Sequence, residues 1–151
     1  MYTQVRLFIK TAIGFLMVGL TIGIVLMVQR ELFDVWPNPR LTSAHMHAVL
    51  IGFVMFLILG VALWLFPRPE KDDRRYSPAR IAICYWVLLL STGGRVLSEV
   101  VRGLVESRAW SWIVVITSVG QAAGLMLYFW TMWNRIRPVG SQLRERSGER
   151  F

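Results

Sequence analysis

The chain has 151 residues, 55% of them hydrophobic and only 17% charged, with seven tryptophans and a formal net charge of +8. The apolar residues come in long blocks rather than at amphipathic spacing, which excludes a soluble globular domain and indicates an all-α integral membrane protein. The Lys and Arg residues flank those blocks instead of forming a separate patch, which excludes nucleic acid as a partner, and the single Cys84 excludes an intramolecular disulfide or a Cys-rich metal site.

Four transmembrane helices are expected, at about residues 11–28, 44–66, 81–101 and 110–133. They form one domain, 1–137, followed by a polar, basic tail over 138–151. The first block is too long for a signal-peptide core and no small-residue cleavage site follows it, so it is expected to remain as a span. Its Gly14, Gly19 and Gly23 would let a neighbouring helix approach closely, and they fit a lipid-facing helix equally well. Gln29 to Arg40 reads as a polar connection with an interfacial turn at Trp36, Pro37 and Pro39, and Thr42 or Ser43 is the expected N-cap of the second span.

The second block holds the only two histidines, His45 and His47. No charged side chain occurs between Ala44 and Phe66, and Pro67 closes the run. At ~1.5 Å rise per residue the run crosses the ~30 Å hydrocarbon layer, where the backbone must satisfy its own hydrogen bonds as a helix. Residues two apart on a helix point about 200° apart. His45 and His47 therefore cannot close on one ion within a chain, but they can offer one imidazole to a neighbour on each side. The third block carries Arg95 inside the layer, with Glu99 four residues on as a local partner. The fourth contains Gly120, Gln121 and Gly124; Gln121, Cys84 and the methionines read as packing.

Twelve of the 17 cationic residues fall on one side of this layout: Arg6 and Lys10, then Arg68, Lys71, Arg74, Arg75 and Arg80, then five in the stretch after the last span. The remaining five are Arg30, Arg40, Arg95, Arg102 and Arg108. The positive-inside rule then puts both termini in the cytoplasm; the membrane expected is the inner, cytoplasmic membrane of a prokaryote. His45 and His47 enter from the outer face, roughly 6–9 Å into the layer, and the third helix brings Arg95 to a similar depth.

Ionisable groups inside a membrane are costly and point to function. Alternatively, the two histidines are interfacial side chains bonded to lipid or backbone. A mononuclear zinc or copper site wants three or four ligands, more than the pair supplies. Haem iron needs one or two axial imidazoles and a flat apolar slot, with cations for its two propionates, and Arg95 and Arg40 are the candidates for that role.

Ala44-His45-Met46-His47-Ala48-Val49-Leu50, followed by an apolar helix ending Trp64-Leu65-Phe66-Pro67, resembles the haem-ligating helices of subunit I of the haem-copper oxidases and nitric oxide reductases. The match is to that family's tenth helix, with its Ala-His-x-His-x-Val-Leu, and to its second helix. The motif covers about 27 residues, and the four-helix layout extends the resemblance over most of the chain. Subunit I has three four-helix arcs around a pseudo-threefold axis, and this chain resembles one arc. The resemblance implies a homo-oligomer, a trimer in preference to a dimer, that binds haem b through His45 of one copy and His47 of the next. It implies electron transfer to or from a quinol or a periplasmic carrier. No second histidine-bearing helix is present for copper, which leaves a complete oxidase disfavoured. Two other functions remain open: a non-catalytic accessory or scaffold subunit of a respiratory complex, and a haem-based sensor or reductase for nitric oxide or oxygen.

Overall fold

The computed structural model describes residues 2–67, 69, 73–105, 108–137 and 148. The expected polar tail, apart from residue 148, lies outside the described residues, as do Arg68 and Lys71 between the second and third spans. Four helices cover nearly all of the rest: α1 Tyr2–Phe33, α2 Pro39–Leu65, α3 Pro78–Leu104 and α4 Arg108–Met132, the last followed by a single 3₁₀ turn, Trp133–Arg135. There is no strand among the described residues. All four helices are long and apolar enough to cross a bilayer.

Each helix begins before the apolar block that announces it, and α1 and α3 also run past its end, because block edges mark the hydrocarbon boundary whereas helices continue into the interface. At the start of α2 the cap itself differs from expectation. Its N-cap is Asn38, not Thr42 or Ser43: the Asn38 side chain accepts from the Arg40 N–H at 2.9 Å and Pro39 takes the first helical position. A proline there gives up a donor that has no partner anyway, and its fixed φ suits the first turn. Thr42 instead donates back to the Asn38 carbonyl at 3.2 Å. Before this cap, Asp34 turns the chain out of α1 with a left-handed φ of 49°.

The four helices pack in chain order, α1 on α2, α2 on α3 and α3 on α4, as an open arc; α1 makes only a slight contact with α3, and the α1 and α4 backbones stay apart. The end of the arc formed by the start of α1, the end of α2, the start of α3 and the end of α4 is a dense aromatic core. There the Phe8 ring centroid lies 5.2 Å from Tyr85, 5.5 Å from Phe56 and 6.0 Å from Tyr128. Two polar atoms within it are satisfied across helices, Tyr85 Oη with Thr11 Oγ1 at 2.8 Å and Tyr128 Oη donating to the Leu59 carbonyl at 2.6 Å. Arg135 is fully buried at the same end and donates to the carbonyls of Leu63, Phe66 and Pro67 at 3.2, 3.0 and 2.8 Å, with its guanidinium 4.8 Å from the Tyr76 ring centroid. Those are the carbonyls that the end of α2 leaves without intrahelical donors, so this arginine caps α2 from the far end of the arc.

The opposite end, which holds the histidines, is different in kind. Its apolar contacts reduce to Ala44, Ala48 and Val96 with Ile22 and Val100 beside them. The outward faces of α1 and α4 carry a continuous apolar surface for lipid, including Met17, Leu20, Ile24 and Met27 on one and Trp112, Ile116, Val119 and Met126 on the other.

Tyr128→Phe is expected to lower stability in detergent by about 1 kcal/mol, the worth of one ordinary hydrogen bond, whereas Arg135→Ala strips donors from a helix end and costs about 3 kcal/mol or more. Thermal unfolding of the two variants beside the parent chain measures both.

Candidate functional site

α2 is not a uniform helix. Pro39–Met46 is α-helical, His47–Met55 is π-helical and Phe56–Leu65 is α-helical again. The wider turn begins at the second histidine, and such insertions recur at functional sites because they re-aim the side chains around them. The π-helical stretch is the one that packs on the middle of α1. A Cβ on Gly52 would run into the Phe15 ring, and a Cβ on Gly19 would meet Val49 Cγ2 at 2.6 Å.

The expected opposition of the two imidazoles holds. His45 faces α1. Its Nδ1 lies 2.8 Å from the Gly19 carbonyl, and its ring rests on Gly23, where a Cβ would meet Cε1 at 2.8 Å. Gly19 and Gly23 thus serve helix approach, while Gly14 has nothing within 4 Å and faces outward. His47 turns away from α1. Its Nδ1 lies 2.9 Å from the Ser43 carbonyl, one turn back on its own helix, and 3.5 Å from Glu99 Oε2 of α3. A carbonyl oxygen can only accept, so Nδ1 carries the hydrogen on both rings. In the neutral ring that arrangement leaves the lone pair on Nε2, and neither Nε2 has a hydrogen-bond partner among the described residues. A histidine prepared to bind a metal is held in this way, by its other nitrogen. On the outer face of α2, Pro39, Ser43, Met46, His47 and Leu50 line an open groove of about 430 Å³.

Behind His47 a polar chain crosses three helices. Glu99 is almost completely buried; its Oε1 accepts from Ser43 Oγ at 2.8 Å and from Arg95 Nε at 2.7 Å. The Arg95 guanidinium continues to Ser118 Oγ on α4, and Ser118 donates to the Val114 carbonyl at 2.6 Å. Glu99 Oε2 accepts no hydrogen bond, and its 3.5 Å approach to His47 Nδ1 is electrostatic rather than a good bond. The local Arg95–Glu99 pair read from the sequence is therefore present, and Arg95 is turned toward α4. Arg40 lies elsewhere: its Nη1 donates to the Arg102 carbonyl at 2.6 Å, at the end of α3. The structure thus joins His47 to Arg95 through Glu99 and keeps His45 and Arg40 apart from them. Gln121 and Cys84 pack, Gln121 donating to Thr92 Oγ1 at 3.2 Å and Cys84 buried in the aromatic core. Among the described residues no three His, Cys, Asp or Glu side chains cluster as metal ligands.

Glu99 is the residue that sequence reading undervalued. An acid four residues from an intramembrane arginine signals a pair, but its reach across to Ser43 and His47 depends on how α2 and α3 dock.

Gly23→Ala forces the His45 ring to shift, whereas Gly14→Ala meets open space and is neutral or stabilising by up to about 1 kcal/mol. Side-chain ¹⁵N spectra of histidine-labelled apo-protein should show Nδ1-protonated rings at both positions in the parent and in Gly14→Ala, and a changed His45 signal in Gly23→Ala only. Glu99→Leu strands Arg95 and is expected to cost about 3–5 kcal/mol in thermal unfolding, most of it recovered in Glu99→Leu/Arg95→Met.

Comparison with curated proteins and with solved structures returns no match. The model of the family described as cytochrome c and quinol oxidase polypeptide I, a family of haem-binding membrane subunits, matches residues 3–144. The chain, an integral membrane protein of four apolar helices, belongs to that family, the subunit I family of the haem-copper oxidases.

Proposed function

We propose that the chain is a membrane b-type cytochrome that carries electrons, with haem held between copies by His45 of one and His47 of the next. The observation that carries this reading is the pair of imidazoles locked by Nδ1 on main-chain oxygens, each with a bare Nε2, on opposite sides of one helix. Protein groups prepared in this manner fit a haem shared at a junction of protomers; they do not fit an ion held within one chain. Bound there, haem supplies a one-electron iron centre.

The chain's own residues do the rest. Gly23 leaves room for the His45 ring beside α1, and the Gly19 carbonyl orients it. Ser43 orients His47, and the buried Glu99 places negative charge beside it, balanced by Arg95. Arg95, held by Glu99 and Ser118, would act on haem propionates through charge rather than by a bidentate grip, and Arg40 would be a second cation on the same side of the membrane. The apolar groove along Met46 and Leu50 gives the His47 side a surface for a second copy. A closed ring of three copies uses every imidazole, and the cation asymmetry along the chain puts the termini in the cytoplasm and the histidines toward the outer face, where a quinol or a periplasmic carrier exchanges electrons.

Protein produced with ample haem supply is expected to show a Soret band, a b-type reduced-minus-oxidised spectrum and no carbon monoxide binding when reduced. His45→Ala and His47→Ala should each lower haem content by more than half, and co-assembly of the two variants should restore part of it, since one mixed junction keeps both ligands. A colourless parent protein would refute the cytochrome reading, and carbon monoxide binding would move it to a gas-binding haem protein.

A further inference from the structure

At the histidine end a cavity of about 690 Å³ lies between the α1–α2 connection and the last turn of α3. Arg40 and Arg102 both line it, with Gln29 and Asn38 as polar neighbours and Trp36 and Leu104 on its apolar side. Among the described residues no Asp or Glu lines it; Glu31 is paired with Arg30 at 3.5 Å, and Asp34 is exposed on the turn. The carbonyls that end α3 are already taken, Arg102 O by Arg40 at 2.6 Å and Gly103 O by the Asn38 amide at 3.0 Å. Arg102 Nε is shielded from solvent and has no hydrogen-bond partner among the described residues.

A shielded guanidinium N–H without an acceptor is costly, and two arginines lining one cavity repel each other unless an anion joins them. The planar fork of each guanidinium matches a pair of phosphate oxygens. On the apolar side of the cavity Trp36 and Leu104 are strongly exposed, and Leu32 and Phe33, also strongly exposed, precede it in the chain at the end of α1, at the level where lipid headgroups lie. A soluble anion would have no use for that side.

We propose that the Arg40–Arg102 cavity binds the phosphate of an acidic phospholipid, whose acyl chains follow the exposed apolar ends of α1 and α3. The site needs no haem; Arg40 is shared with the cytochrome reading but Arg102 is not, so lipid retention by the haem-free chain and the Arg102 variant test it apart from that reading.

The test is native mass spectrometry and thermal unfolding of the purified chain with dioleoyl phosphatidylglycerol, with phosphatidylcholine of the same chains, and with inorganic phosphate alone. Phosphatidylglycerol is expected to be retained and to raise the unfolding midpoint, while the other two are not. Arg102→Gln and Arg40→Gln should each weaken its retention roughly tenfold, the worth of a charged hydrogen bond; Arg102→Lys should restore part of it and Arg108→Gln, outside the cavity, should change nothing. Equal retention of the two lipids, or full retention in both glutamine variants, overturns the proposal. Protection by inorganic phosphate equal to that by phosphatidylglycerol overturns the lipid assignment. Should a variant fail to accumulate, the headgroup comparison on the parent chain decides alone.

Discussion

Main-chain oxygens hold both imidazoles by the same atom, Gly19 O for His45 and Ser43 O for His47. Much follows from that pair of bonds. Each consumes the Nδ1 hydrogen, each helps orient its ring, and each leaves Nε2 without a hydrogen-bond partner among the described residues. The supports come from different places. His47 is held by its own helix, one turn back, so its orientation survives wherever α2 is helical. His45 is held by α1, so its orientation depends on two helices being close enough to touch. Gly19 and Gly23 supply that closeness, one against Val49 and the other beneath the ring itself.

The arc divides its work between its two ends. In a bilayer the hydrophobic effect does not draw helices together, and association rests on packing and on polar contacts between them. At the end with the Phe8, Phe56, Tyr85 and Tyr128 rings all four helices converge, and Arg135 fastens the end of α2 to the end of α4. This end can hold the fold. It leaves the histidine end free to carry polar groups that pack poorly, since the contacts there need not supply the stability of the whole.

Two cations, Arg135 fully buried and Arg95 partly buried, illustrate two solutions to one physical problem. Arg135 is satisfied by carbonyl oxygens at a helix end, where partial negative charge is already present, and needs no acid. Arg95 sits in mid-helix, where the carbonyls of its own helix are used, and so it takes an acid, Glu99, and a hydroxyl, Ser118. The second solution brings a buried carboxylate beside His47, which places a structural ion pair and a candidate ligand within one connected network.

Block hydropathy alone determined the class, the number of spans and the opposition of His45 and His47, because in lipid a long uncharged run has no alternative to a helix and a helix fixes angles between neighbours. The Arg95–Glu99 pair was legible for the same reason, being four residues apart. The docking of the helices decided everything that spans them: Gly23 beneath His45, Glu99 against Ser43 and His47, Arg135 on the end of α2. Asn38 as cap and the π-helical turn at His47 were also beyond the pattern, the first because Pro37 and Pro39 bracket it like a turn, the second because the extra residue per turn is a response to packing against Phe15 and Gly19. Periodicity describes one helix at a time. Which faces meet is settled by the shapes of two surfaces together, and a single string of residues does not contain the second surface.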